Sequence, residues 1–154
     1  MKNISISISA LILFTACNSN NQQDRISTDS ISTNDSLQQQ TSELCFQRLE
    51  GLSNQDTSTI HLIIDNGKVS GDFNHIPYQK DSRKGTLKGF KNADIIQGVW
   101  TFMQEGMIDT LSVEFKLSGN GLLQKTFGVD KNTGRQKLTD TSTFSIPYKK
   151  IDCD

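Results

Sequence analysis

Thr110-Leu111-Ser112-Val113-Glu114-Phe115-Lys116-Leu117 alternates polar and apolar residues without a break. Successive side chains of an extended strand point to opposite faces, so Leu111, Val113, Phe115 and Leu117 share one face and Thr110, Ser112, Glu114 and Lys116 the other. Such a run reads as a half-buried β-strand. Upstream, Ile96, Gly98, Trp100 and Phe102 form a second inward set with Gln97 and Thr101 opposite, and Gln104-Glu105-Gly106 turns the chain between the two. Downstream, Gly119-Asn120-Gly121 turns it back into the stretch from Leu123 to Val129. A polar loop opens at Asp130-Lys131-Asn132-Thr133-Gly134, and Phe144, Ile146 and Tyr148 mark a last strand running to Cys153.

The same pattern extends towards the N-terminus. Ile60, Leu62 and Ile64 share one face, and Asp65-Asn66-Gly67 follows. Asn-Gly between alternating runs is a strong hairpin signal, because both central residues of the tight turn need positive φ. Val69, Gly71 and Phe73 return on one face. Gly85, Leu87 and Gly89 predict a strand whose glycines permit bending or close backbone approach, and Lys91-Asn92-Ala93-Asp94 predicts a turn. No segment shows apolar three-four spacing of helical length. The expectation is an all-β domain over residues 43–154, of about eight strands in meander order. It forms an antiparallel up-and-down barrel or a strongly curved meander sheet, with the terminal strands adjacent so that exposed edges are removed.

The N-terminus differs in kind. Lys2 precedes an apolar run from Ile4 to Leu13, and Phe14-Thr15-Ala16-Cys17 follows. That is the layout of a secretory signal, and the run is too short to span a bilayer, which takes about 20 apolar residues. The stretch resembles a bacterial lipobox, with Phe14 where the commonest lipobox has Leu. The resemblance implies that residues 1–16 are a lipoprotein signal peptide and that Cys17 becomes an acylated N-terminus holding the protein to a membrane. Residues 17–42 are rich in Asn, Gln, Ser, Thr and Asp. They cannot bury enough apolar surface to offset the entropy of ordering, so they read as a disordered polar tether.

Of three cysteines, Cys45 and Cys153 remain once Cys17 is assigned to lipid. An even remainder in an exported protein reads as a disulfide. A Cys45–Cys153 bond closes a loop of about a hundred residues, for which chain entropy gives roughly 4–5 kcal/mol. It demands that the first and last strands bring their α-carbons within about 7 Å. Redox-active and metal-binding alternatives lack the usual short spacing.

Chemistry-bearing patterns are sparse. The net charge of −1 argues against nucleic acid, which takes a clustered basic face. The densest basic group, Lys80, Arg83, Lys84, Lys88 and Lys91, reads as a solvated loop and strand face. His61 alternates against Ile60, Leu62 and Ile64 and is expected to face solvent; with His75 it makes too few ligands for a metal. Asp130 to Gly134 resembles half of a calcium loop but lacks the third oxygen ligand and the distal Glu, and reads as a plain turn. Asp94, Glu105, Asp109 and Glu114 are scattered acids rather than a catalytic pair. No nucleophile elbow or phosphate cradle occurs. The sequence thus assigns no catalytic residue, no metal and no cofactor. The one segment open to a sharper reading is Gly98 to Gly106. Its aromatics either fill a packed core, or, with Ile96, Gly98, Trp100, Phe102 and Phe115, floor a cavity for one small apolar ligand, since an eight-stranded barrel is just wide enough for that.

Over residues 45–153 the chain resembles small exported lipoproteins common in Bacteroidota. The matching features are the lipobox ending in Cys17, Cys45, Gly67-Lys68-Val69-Ser70-Gly71, Gly85-Thr86-Leu87-Lys88-Gly89, Trp100-Thr101-Phe102-Met103-Gln104-Glu105-Gly106 and Asp152-Cys153. Its Gly-x-hydrophobic-x-Gly strands are also similar to those of calycin-like barrels such as avidins and lipocalins. The first resemblance implies an envelope lipoprotein with no catalytic residues to carry across. Asn18-Ser19-Asn20-Asn21-Gln22-Gln23 has no acidic cluster after the lipidated cysteine, which in such bacteria implies the outer membrane, facing the periplasm. The functional expectation is a non-enzymatic binding or interaction module. Its partner is an unknown protein or, alternatively, a small apolar ligand carried inside the barrel. Lipid-tethered inhibitors of host lysozymes are a precedent by analogy.

Overall fold

The computed structural model describes residues 40–153. Ten strands occur there: β1 (Thr41–Glu50), β2 (Asp56–Asp65), β3 (Lys68–Ile76), β4 (Arg83–Asn92), β5 (Ile95–Gln104), β6 (Met107–Ser118), β7 (Gly121–Lys125), β8 (Gly128–Val129), β9 (Gln136–Lys137) and β10 (Phe144–Ile151). Seven of them and β10 form a closed antiparallel barrel in the order β1-β10-β7-β6-β5-β4-β3-β2. The two-residue ladder of β8 and β9 lies within the connection between β7 and β10. No helix occurs among the described residues. The eight-stranded all-β barrel expected from the alternation is therefore the observed fold.

Local turn chemistry sets the register of the meander. Asn66 and Gly67 both have positive φ, 48° and 81°, as the hairpin reading requires. Glu105 and Gly106 repeat the arrangement at 50° and 77°. On β4 the glycines permit close backbone approach. A Cβ built on Gly85 would lie 1.9 Å from the Thr101 carbonyl oxygen, and one on Gly89 would lie 2.1 Å from that of Gln97. The inward faces are those expected: Ile60, Leu62, Ile64, Val69, Phe73, Leu87, Ile96, Trp100, Phe102, Leu111, Val113 and Phe115 are all buried.

One boundary differs from expectation. Thr41 and Ser42, read as the last residues of the tether, pair with Asp65 and Ile64 and belong to β1. Main-chain hydrogen bonds to a long neighbouring strand do not depend on side-chain polarity, so composition placed the boundary too late. The expected signal peptide, the expected lipidation at Cys17 and the rest of the expected tether lie outside the described residues.

The ends of the barrel are unlike. At one end the connections are the two-residue turns Asn66-Gly67, Ala93-Asp94 and Gly119-Asn120, and β1 begins there at Thr41. The opposite end carries the longer connections 51–55, 77–82 and 126–143, together with the Glu105-Gly106 turn. The barrel closes where β1 pairs with β10, through the register Cys45↔Ile151, Phe46↔Lys150 and Gln47↔Lys149. Cys45 and Cys153 form the expected disulfide beside this short seam, with a Cα–Cα distance of 5.3 Å.

Replacing Cys45 and Cys153 together by Ser should lower stability by about 2–4 kcal/mol, read from the denaturant midpoint, with an unchanged far-ultraviolet spectrum. Gly85→Ala must push β4 from β5 and should cost about 1–3 kcal/mol in the same assay. Wild-type stability in either variant would contradict the seam or the close approach.

Candidate functional site

The inward face changes character along the barrel axis. At the end with short turns it is apolar: Leu62, Ile96 and Phe115 are 0% exposed and Leu122 is 1% exposed. Towards the other end the same inward parity continues into polar residues. On β1, Phe46 is followed by Arg48 and Glu50; on β2, Ile60 is preceded by Ser58; on β3, Phe73 is followed by His75; on β4, Leu87 and Gly85 are preceded by Arg83. Gln124 on β7 and Tyr148 on β10 complete the set, and both are buried.

Of these polar residues Arg48, Ser58, His75, Arg83, Gln124 and Tyr148, but not Glu50, line an open cleft of about 210 Å³ at the mouth of the barrel, together with Phe73, Trp100, Phe127, Gln136 and Ile146. Its floor is aromatic. Phe73 stacks on Trp100 with ring centroids 4.2 Å apart and meets Tyr148 edge-on at 6.4 Å. The Trp100 indole N–H donates to the Phe73 carbonyl at 2.8 Å, which fixes the ring in place. Tyr148 donates its hydroxyl to Gln124 Oε1 at 2.7 Å. Burial pushes the Tyr148 hydroxyl up to about 12, against the pull of nearby Arg48 and Ser58, so it stays protonated.

The cations of the mouth are positioned differently from one another. Arg48 forms an ion pair with Glu50 on its own strand. Arg83 donates through Nε to Gln104 Oε1 at 2.6 Å and through Nη1 to Gln136 Oε1 at 2.7 Å, while its guanidinium lies 5.1 Å from the centre of the Phe102 ring. Ser58 Oγ and His75 Nδ1 are 2.8 Å apart. Burial lowers the His75 pKa from 6.5, Arg83 and Arg48 lower it further, and Glu50 and Asp56 oppose them. Ser58 and His75 have the contact from which nucleophilic catalysis starts. A third group is missing, however: among the described residues no side chain hydrogen-bonds the other ring nitrogen of His75.

The remaining candidates are dispersed. Ile96 and Phe115 sit in the packed core, Trp100 floors the cleft, and Phe102 lines an adjoining depression with Arg83, Asp109 and Arg135. Gly98 faces its would-be Cβ towards Leu87 and the Lys88 carbonyl. The four acids are held apart: Asp94 pairs with Lys116, Asp109 with Arg135 and Glu114 with Lys125. A hydrogen bond with the Asp81 carboxyl raises the pKa of exposed Glu105. Asp130 accepts the backbone N–H groups of Asn132 and Thr133 and the Lys137 ammonium, with Lys137 the main cause of a strongly lowered pKa. It thus organises a turn. His61 faces outward against Glu43, beside the disulfide, whose two sulfurs already hold each other.

Arg83 corrects the reading of the basic cluster as a solvated face. Lys80, Lys84 and Lys88 are exposed, but Arg83 has inward parity and reaches the cleft. Arg48, Ser58, His75, Gln124 and Gln136 were not anticipated as site residues either. The available signal was parity, since each but Gln136 continues an inward alternation. Comparison of the chain with family models, with curated proteins and with solved structures finds no match.

The lowered His75 pKa has a consequence for stability. Between the folded pKa and 6.5 the unfolded chain binds more protons than the folded one, so stability contributed by neutral His75 is present above pH 6.5. It is lost as the pH falls through that value towards the folded pKa. Thermal melts from pH 7.5 to 5 should therefore show a decline that flattens in His75→Gln. An identical slope in both proteins would remove the assignment.

Proposed function

We propose that the protein is a non-enzymatic binding or interaction module of the bacterial cell envelope, held to a membrane by lipid on Cys17. The observation that carries this reading is that one end of the barrel combines a cleft with side chains of the kind that form interfaces. Leu52, Tyr78, Met103, Met107 and Ile108 are all exposed on the loops and strand ends around the mouth. Exposed apolar side chains beside polar ones are typical of interaction surfaces. A binding site on loops carried by a rigid barrel also fits the usual division between scaffold and function.

The reading of residues 1–16 as a lipoprotein signal supports the anchor, and more than one acyl chain gives stable attachment. The first described strand, β1, begins at the end with short turns, opposite the mouth. The absence of an acidic cluster after Cys17 favours the periplasmic face of the outer membrane.

A small apolar ligand carried deep in the barrel is the second reading, and Trp100 at the base of the cleft is the observation in its favour. The burial of Leu87, Ile96 and Phe115 at 0% exposure favours the mouth over the deep interior.

Cys17→Ser should release the protein from the membrane pellet and abolish uptake of labelled fatty acid; a wild type that is itself soluble and unlabelled would refute the anchor. For the binding face, immobilised wild type, Ile108→Glu and Phe90→Glu are to be compared in envelope extracts. Phe90 is exposed near the opposite end of the barrel. A component retained by wild type and Phe90→Glu but lost with Ile108→Glu is the expected result. Equal retention by all three, or none by any, would count against the mouth.

A further inference from the structure

The charge balance of the cleft is incomplete. Its lining contains Arg48, His75 and Arg83 but no carboxylate. Glu50 answers Arg48. Arg83 has no carboxylate within ion-pair distance among the described residues. Its two hydrogen-bonding partners are the neutral amide oxygens of Gln104 and Gln136, and the Phe102 ring supports its plane. Asp109 lines the adjoining depression with Arg83 but is ion-paired with Arg135, so the guanidinium is oriented on three sides without an ion-pair partner of its own. Withdrawing a cation partly from water without a counter-charge is costly, and a guanidinium is shaped to take a planar anion through paired N–H groups.

The remaining polar groups point the same way. Gln124 accepts from Tyr148 through Oε1, which leaves its NH₂ to donate. The floor is flat and apolar, with Phe73 and Trp100 stacked, and Phe127 and Ile146 stand in the walls. The volume of about 210 Å³ is below the 300–1,000 Å³ common for ligand pockets, so the occupant is small. One unanswered charge calls for a monoanion rather than a dianion.

Resting on the mouth as the binding face, we infer that the cleft recognises a small monoanion with a flat apolar body, of which an aromatic carboxylate is the simplest form. Its charged end lies against Arg83 and its body against Trp100 and Phe73. The groups facing His75 are Arg48 and Glu50 from β1, Asp56 and Ser58 from β2 and Arg83 from β4. An added anion there stabilises the imidazolium, so binding should tighten as the pH falls from 7.5 to 6.

Trp100 is the only tryptophan, so its emission reports on the cleft directly. The full-length protein in detergent is titrated with benzoate, with neutral benzamide and with inorganic phosphate. Benzoate should change the emission saturably, with the other two at least about tenfold weaker. Arg83→Gln should weaken benzoate about ten- to a hundredfold, the range of a charged hydrogen bond. Lys88→Gln, on the exposed outer face of β4, should not change it. If Arg83→Gln melts below the assay temperature, Arg83→Lys keeps the charge without the fork and should show a smaller loss. Benzamide binding as well as benzoate would overturn the anion inference while leaving the mouth as the binding face. Silence towards all three probes would overturn it too, whereas the mouth itself fails if Ile108→Glu leaves partner capture unchanged or if nothing is captured by any of the three proteins.

Discussion

Closure of the barrel between β1 and β10 is the constraint on which the rest depends. Most other barrel pairings join neighbours in sequence through short turns, but this one brings Cys45 beside Ile151. Contacts so distant in sequence carry the largest loop-closure entropy and form against it. The register between the two strands is short, and the disulfide staples it where the chain ends meet. Without closure β1 and β10 would be free edges, and the inward residues of both strands, Phe46 and Tyr148 among them, would lose the side chains they face.

Closure also decides what the interior can be. Eight strands leave room for little more than the side chains themselves. In the half with short turns that space is taken by aliphatic residues and Phe115. Around Phe73 the packing becomes aromatic, with Trp100, Phe115 and Tyr148 against one ring. Beyond that layer the inward positions are polar. Buried polar groups persist because each finds a partner: Tyr148 with Gln124, Ser58 with His75, and the Trp100 N–H with the Phe73 carbonyl. No buried side-chain nitrogen or oxygen among the described residues lacks a hydrogen bond. The mouth is thus a built feature, and its Arg83 guanidinium meets only neutral hydrogen-bond partners.

Strands and turns were legible because their causes are local. A period of two sorts inward from outward residues, and Asn-Gly or Glu-Gly at a bend supplies the positive φ that a tight turn needs. The site was less legible for a related reason. Reading polar residues as outward works for Lys84 and Lys88 but fails for Arg83, which shares the parity of Gly85 and Leu87. His75 follows Phe73 by two in the same way, and Ser58 precedes Ile60. Periodicity carried the correct answer at these positions, while residue type argued against it.

The sequence by itself determined the all-β class, the eight barrel strands and their meander order, most of the inward apolar set and the pairing of Cys45 with Cys153. These follow from alternation, turn chemistry and cysteine parity, which act over a few residues or by elimination. The tertiary structure alone decided that Arg48, Ser58, His75, Arg83, Gln124 and Tyr148, spread over six strands, converge on one cleft. Strand stagger around a closed barrel sets which inward residues share a level along its axis, and no local pattern encodes that stagger. It likewise decided that Arg83 meets two amides and an aromatic ring instead of a carboxylate, because Gln136 reaches it across 53 residues of sequence.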